Sequence, residues 1–296
     1  MDAIVFDDYE PARPLAFDWG ASEDEYRADP RVNFHTLAKF HRDPRAFANG
    51  YFDKDEPNDA MTFGSAFHCK LLKPHEYGDK FAVFAPPVNP KTDAPFGVTT
   101  NAYKEAFAAF LRENEGKTVI SQGSAELIDT LIAEARFHPL ASKLLASGDG
   151  VFEQSICGEI DLETVKVAVK GRVDAYTEAG LIDIKTTANL DDGSGRDRFR
   201  FTVYDYKYLV QLAFYHMILT RCYNAPFVPA WLIVLEKNPP NRCAVYAPTR
   251  EVLVKAYGVV FSWLREFQVS QQSKRFRSRY DDLQLITSYD PEKDII

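Results

Sequence analysis

The residues best suited to do chemistry lie in "GRVDAYTEAGLIDIKTT", positions 171–187. Its second half has the apolar density of a buried strand, yet Asp183 and Lys185 stand where a core would continue with aliphatic residues. The segment before it, "TVKVAVKGRVDAY", alternates with the period of two that marks a strand, and the turn signal "TEAG" separates the two. A turn centred between Glu178 and Ala179 sets Asp174 opposite Asp183, Arg172 opposite Lys185, Val173 opposite Ile184 and Ala175 opposite Ile182. One face then carries Arg172, Asp174, Asp183 and Lys185, and the other is apolar. Facing residues of an antiparallel pair sit about 4.5–5.5 Å apart at Cα, so two carboxylates there repel each other. A divalent cation that prefers oxygen ligands, Mg²⁺ or Mn²⁺, turns that repulsion into attraction, and an adjacent lysine suits a site that handles phosphate or orients a water.

The elements around the hairpin must hold this face together. Upstream, "VFEQSICGEI" reads as another strand; with the "DLET" turn centred between Leu162 and Glu163, Glu153 falls opposite Arg172 and diagonal to Asp174. A slip of one residue in either register would scatter the three acids. A single D-x-K on a strand is more often a solvated edge than a site; the acid closing one strand, the D-x-K in the next and the flanking isoleucines are together more specific. "NFHTLAKFHRDPRAF" predicts a helix capped by Asn33 and ended by Pro44. "MTFGSAFHCKLL" predicts a second, with Phe67, Leu71 and Leu72 on its buried stripe and Gly64 permitting close approach. Residues 85–100 read as a surface loop. Three amphipathic helices follow, "NAYKEAFAAFLRENEG", "SQGSAELIDTLIAEARF" and "HPLASKLLASG". After the strands comes a polar loop, "DDGSGRDRFR", then one long helix over "YDYKYLVQLAFYHMILTRCY", a hairpin of "FVPAWLIVLEK" and "CAVYAPT", and a C-terminal helix from "REVLVKAYG" into "KRFRSRY".

Composition bounds the reading. A chain of 296 residues, 46% hydrophobic and 14% aromatic, can bury a large core. We expect an N-terminal arm over 1–30, one domain over 31–280 and an acidic tail over 281–296. The first thirty residues have the acids and prolines of a loose arm and not the apolar core of a secretory leader, and no run is long enough to span a bilayer, so the expected location is the cytoplasm. Cys69, Cys157, Cys222 and Cys243 are too scattered for a zinc ribbon or a disulfide framework. The net charge of -8 argues against coating nucleic acid by bulk charge, while leaving room for a local basic groove.

A D…D-x-K pair on a hairpin resembles the core of the PD-(D/E)xK nuclease superfamily. "VKGRVDAY…LIDIKTT…YLVQLAFYH" is similar in particular to the RecE-type branch, the exodeoxyribonuclease VIII group of phage recombination exonucleases. "NFHTLAKFHRDPRAF", "MTFGSAFHCKLLKPHEY", "LASGDGVFEQSI" and "WLIVLEKNPPNRCAVY" match that branch in order and spacing, so the resemblance covers roughly residues 31–260. It implies an α/β (α+β) fold with a restriction-endonuclease-like core, a mixed central sheet whose antiparallel catalytic hairpin is flanked by helices.

By position, the resemblance makes Asp174 and Asp183 metal-binding acids, adds the Ile184 carbonyl as a ligand, and makes Lys185 the catalytic lysine. It makes His68 a residue facing the metal, Glu153 the acid upstream of the hairpin, and Gln211 and Tyr215 the Q-x-x-x-Y pair beside the site. Val173 replaces the proline of the superfamily name, a departure the branch tolerates. Spacing alone favours a hydrogen-bonded core histidine at His68 and a packing residue at Tyr215, and leaves Glu153 open as a simple partner of Arg172. Arg172, Thr186, Arg196 and Arg198 are candidate DNA contacts. Lys274, Arg275, Arg277 and Arg279 form either a further backbone-contacting cluster or a solvated face.

The implied activity is Mg²⁺-dependent (or Mn²⁺-dependent) digestion of linear double-stranded DNA from its 5′ end, with one or two ions. The implied partners are DNA ends, a single-strand annealing protein and further copies of the chain, in a phage or its bacterial host, with no membrane. Three alternatives are a structure-specific or nicking endonuclease of the same superfamily, its iron-sulfur branch, and a DNA-binding module that has lost the chemistry. The cysteine spacing disfavours the iron-sulfur branch, and the intact Asp174, Asp183 and Lys185 disfavour the silent module.

Overall fold

The computed structural model describes residues 9–17, 19–52, 58–146, 150–278 and 280–281. Arg279 and all of the acidic tail but Asp281 lie outside the described residues. In chain order the elements are α1 (Glu23–Ala28), α2 (Phe34–Arg42), α3 (Pro44–Ala48), α4 (Asp59–Leu72), α5 (Pro74–Lys80), β1 (Phe81–Phe84), β2 (Val88–Asn89), β3 (Ala94–Pro95), α6 (Asn101–Glu113) and β4 (Thr118–Ser121). They continue with α7 (Gln122–Phe137), α8 (Pro139–Leu145), β5 (Val151–Asp161), β6 (Lys166–Thr177), β7 (Gly180–Thr187), α9 (Phe199–Asp205), α10 (Tyr208–Cys222), β8 (Ala230–Glu236), β9 (Cys243–Tyr246) and α11 (Arg250–Ser273).

The main sheet has the order β5-β6-β7-β8-β9. It is antiparallel except where β7 runs parallel to β8. Apolar residues alternate along β7 and serve two layers: Leu181 packs with α2, α10 and α11, while Ile182 and Ile184 pack with α4, α7 and α8. This is the mixed, helix-flanked α/β sheet expected from the sequence.

The helix starts follow from local chemistry. The Asn33 side chain accepts the Thr36 N–H at 2.8 Å and Asn58 accepts that of Met61 at 3.0 Å, each satisfying a donor that the first turn leaves without a partner. Pro44, which ends α2, also opens α3 because it needs no donor at a first helical turn.

Four expectations are corrected. The expected long helix is broken at Lys207, which adopts φ +59 between α9 and α10. Gly64 meets nothing within 4 Å of a built Cβ, so it opens space instead of admitting a neighbouring helix. The first strand pairs two residues away from the expected register, Ser155 facing Arg172 and Asp161 facing Lys166. The cause is the turn: Leu162 N–H bonds the Val165 carbonyl at 2.9 Å and Glu163 sits at φ +70, so the loop holds four residues centred one place later. A slip of two keeps side-chain parity, so Glu153 stays on the polar face. Finally, the described residues before position 30 are built into the fold. Ser22 and Glu25 form a reciprocal capping box that starts α1, and Phe17 packs on Tyr176 and Tyr223.

Candidate active site

The hairpin of β6 and β7 is regular only near its turn. Ala175 pairs with Ile182, Tyr176 with Leu181 and Thr177 with Gly180, as the turn between Glu178 and Ala179 requires. At the next position the ladder stops, because Asp174 Oδ2 accepts the Ile184 backbone N–H at 2.6 Å in place of a main-chain acceptor. The strands part there, and β7 continues on β8 with Asp183 beside Leu232 and Lys185 beside Val234. Asp174 and Asp183 therefore share one polar face without forming the direct cross-strand pair that simple register implies.

The parted strands leave room for side chains from other elements. His68, on α4, brings Nδ1 to 3.5 Å from Asp174 Oδ1 and 3.6 Å from Glu153 Oε1. Glu153 interrupts β5 at φ +50, a left-handed conformation that costs a non-glycine residue about 1–3 kcal/mol and clusters at functional positions. Its other oxygen accepts from Arg172 Nε at 2.8 Å. One ligand atom from each of His68, Glu153 and Asp174 lies within 4.8 Å of the others. Asp183, 2% exposed, ion-pairs through Oδ2 with Lys185 Nζ at 2.5 Å, and that buried oxygen receives no well-formed hydrogen bond among the described residues. On α10, Gln211 Nε2 donates to the Tyr215 hydroxyl at 3.1 Å. The Tyr215 ring lies over Gly171 of β6, where a methyl group would come within 2.8 Å of it.

The charges are tightly coupled. Burial alone would lower the His68 pKa, but Asp174 and Glu153 outweigh it and push it up to about 10. Burial would raise Asp174; His68 and Lys185 reverse this and hold it below the usual carboxylate range. Asp183 goes the other way, to about 6, because burial and the neighbouring Asp174 outweigh the pull of Lys185. Lys185 is raised despite its burial by the Asp183 and Asp174 carboxylates, so it keeps its proton. The group thus carries an acid that ionises only with difficulty next to others that stay charged.

These residues line one cavity of about 590 Å³, which contains His68, Glu153, Arg172, Asp174, Asp183, Ile184, Lys185, Thr186, Gln211 and Tyr215. Arg196, Arg198, Lys274, Arg275 and Arg277 are not among its lining residues. Arg196 and Arg198 are exposed on the loop before α9. Lys274 ends α11, and the segment after it returns to α3, where Ser278 Oγ bonds Asp43 Oδ2 at 3.0 Å. Sequence reasoning missed His35, Tyr26, Arg27, Lys73 and Lys80, which also line the cavity. Tyr26 and Arg27 arrive on α1, which Lys170 of β6 fastens by donating to the Tyr26 carbonyl and, at 2.6 Å, to that of Asp29. The S-x-x-E spacing at Ser22 could have revealed that helix; the long-range latch has no local signature.

A mixed sheet whose splayed hairpin gathers acids and a lysine beside a helix histidine defines the PD-(D/E)xK-like class of domain. The chain belongs to the family described as "PDDEXK-like domain of unknown function (DUF3799)", which matches residues 33–276. A crystal structure of a "Putative exonuclease" from Eubacterium rectale matches with TM-score 0.58 and 13% identity, covering 90% of this chain and 95% of that one, a likeness that establishes the fold. The crystal structure of SSO0001 is 20% identical over 47% of this chain and 65% of that one, with TM-score 0.27, and carries no argument. No curated protein matches the sequence.

Proposed function

We propose that the cavity hydrolyses DNA phosphodiester bonds with a divalent cation, Mg²⁺ or Mn²⁺, and that the protein is a 5′-to-3′ exonuclease of linear duplex DNA. The observation that carries this reading is the meeting of His68, Glu153, Asp174, Asp183 and Lys185 at the point where β6 and β7 part. The donor set fits such an ion: two carboxylates and an imidazole have their ligand atoms within 4.8 Å, and the buried Asp183 Oδ2, ion-paired with Lys185, receives no well-formed hydrogen bond among the described residues. Glu153 and Asp174 would hold it together with His68, whose imidazole would give up the proton that these two carboxylates keep on it, and Asp183 would complete the set. When bound, the ion supplies positive charge that offsets the phosphate oxygens and makes water a better nucleophile.

The chain's own groups do the rest. Lys185, held protonated by Asp183 and Asp174, offers an ammonium to charge building on the scissile phosphate. The Arg172 Nη1, buried and without a hydrogen-bond partner among the described residues, is a further donor for a phosphate oxygen. Gln211 and Tyr215 fix the wall against which the strand lies. Exonuclease polarity, a single-strand annealing partner and assembly of several copies come from the RecE-type resemblance and belong to the proposal.

The test is incubation of end-labelled linear duplex and a closed circle with Mg²⁺ or EDTA, beside Asp174→Ala and Lys185→Ala. Mononucleotide release from linear duplex alone, dependent on metal and absent in both variants, is the expected result. Nicking of the circle would make the protein an endonuclease, and no cleavage at all would leave a binding module.

A further inference from the structure

We infer that α9 and its flanks form a stacking platform for an unpaired DNA strand, continuous with the cavity. Phe201, Tyr204 and Tyr206 are 69%, 65% and 66% exposed within one short stretch. Phe201 and Tyr204, three apart on α9, share a face. Tyr206 stacks on Tyr208 at 5.7 Å with an interplanar angle of 18°, and the Tyr208 ring lies 5.1 Å from Lys185 Nζ inside the cavity. Tyr206 and Tyr208 thus lead from the surface to the lysine, with the exposed rings of Phe201 and Tyr204 on the helix just before them.

The platform is rigidly mounted. Phe199, fully buried, packs on Tyr208 at 6.0 Å and on Tyr246 at 5.2 Å. The loop before it is pinned by Arg242, which reaches Asp191 Oδ2 at 2.7 Å and Glu236 Oε2 at 2.7 Å. The occupant follows from the chemistry. Arg196, Arg198, Arg200 and Lys207 are all exposed in the same stretch, against the exposed Asp192 and Asp205 and a half-buried Asp197 that accepts from the Tyr246 hydroxyl at 3.2 Å. Rings interleaved with cations suit bases joined by phosphates. Inside a duplex each base face is covered by its neighbours, and rings that follow one another along a chain need successive bases splayed apart, so the ligand is single-stranded.

The inference rests on the nuclease reading for the identity of the strand, and its test separates the two. Fluorescence anisotropy with a short labelled oligothymidylate, in EDTA to prevent cleavage, compares the wild type with Tyr204→Ala/Tyr206→Ala, Tyr206→Trp and Arg196→Gln/Arg198→Gln. Loss of both tyrosines should weaken binding about tenfold or more, tryptophan should preserve it, and the arginine variant should show a shallower salt dependence. Wild-type affinity in the folded double-tyrosine variant would overturn the platform, as would a change of oligomeric state with unchanged DNA binding, which would make this face a contact between copies. Ring-dependent binding without any cleavage would keep the platform and remove the nuclease; cleavage without ring-dependent binding would do the reverse.

Discussion

Gly171→Ala is a small change with opposing effects whose balance the structure decides. An alanine in a strand position that tolerates it gains about 0.4–1 kcal/mol by restricting the unfolded chain. Here the new Cβ would lie 2.8 and 2.9 Å from two Tyr215 ring carbons and 3.3 Å from Ile156 Cγ1, where carbon atoms prefer about 3.5–4.0 Å. The ring has little freedom to retreat, being 7% exposed and bonded to Gln211 at 3.1 Å. Overpacking of this kind costs about 1–3 kcal/mol, so the variant should be less stable by about 1–2 kcal/mol. Urea unfolding should show a lower midpoint with an unchanged slope. Tyr215→Leu in the same background should recover most of the loss, so that the four-protein cycle shows a coupling of about 1 kcal/mol or more. In the nuclease reading, the displaced ring loosens Gln211 and slows cleavage by about ten- to a hundredfold. A Gly171→Ala protein as stable as the wild type, or a cycle that is simply additive, would refute the claim that Tyr215 is wedged against β6.

Gly180→Ala should be costlier, about 3 kcal/mol, because Gly180 sits at φ +113 and its Cβ would lie 2.1 Å from the Pro229 carbonyl oxygen; thermal unfolding reads this. His216, fully buried with Nε2 donating to the Val228 carbonyl at 2.9 Å and Nδ1 accepting from Tyr257, has its pKa lowered to about 4 by burial. A depressed histidine favours folding fully above its unfolded value near 6.5, and that contribution is lost as pH falls through about 4. It should amount to about 3 kcal/mol, and the difference in acid sensitivity between wild type and His216→Gln in urea titrations checks it. Mn²⁺ at a hundred times its dissociation constant should stabilise the wild type by about 2.7 kcal/mol and Asp174→Ala far less, as calorimetric melting would show.

The core of the site was legible because its signals are local. Alternation along β6 and β7 and the turn between Glu178 and Ala179 give the register, and the buried flanks of Asp183 give its face. What the sequence hid depends on three-dimensional choices. The ladder ends because a side-chain oxygen of Asp174 takes the Ile184 N–H. Lys207 and Glu163 adopt left-handed backbone that their residue types do not announce, which moves a helix boundary and a strand register. The parallel pair of β1 and β4 joins segments separated by α6, and the short β1 and β4 carry too few residues for a clear period. Proximity of Lys170 to the Tyr26 carbonyl spans the whole distance from arm to sheet, beyond any local pattern.

The wall that α1 adds to the cavity has a practical meaning for anyone trimming this gene. Tyr26 and Arg27 precede residue 33, where the family match begins. A clone started at that boundary would keep every acid and the lysine yet lose part of one wall. It would also strip the 3% exposed Lys170 of both carbonyls that accept its hydrogen bonds, so the shortened product should yield poorly from expression even though the candidate site residues on the sheet are all present.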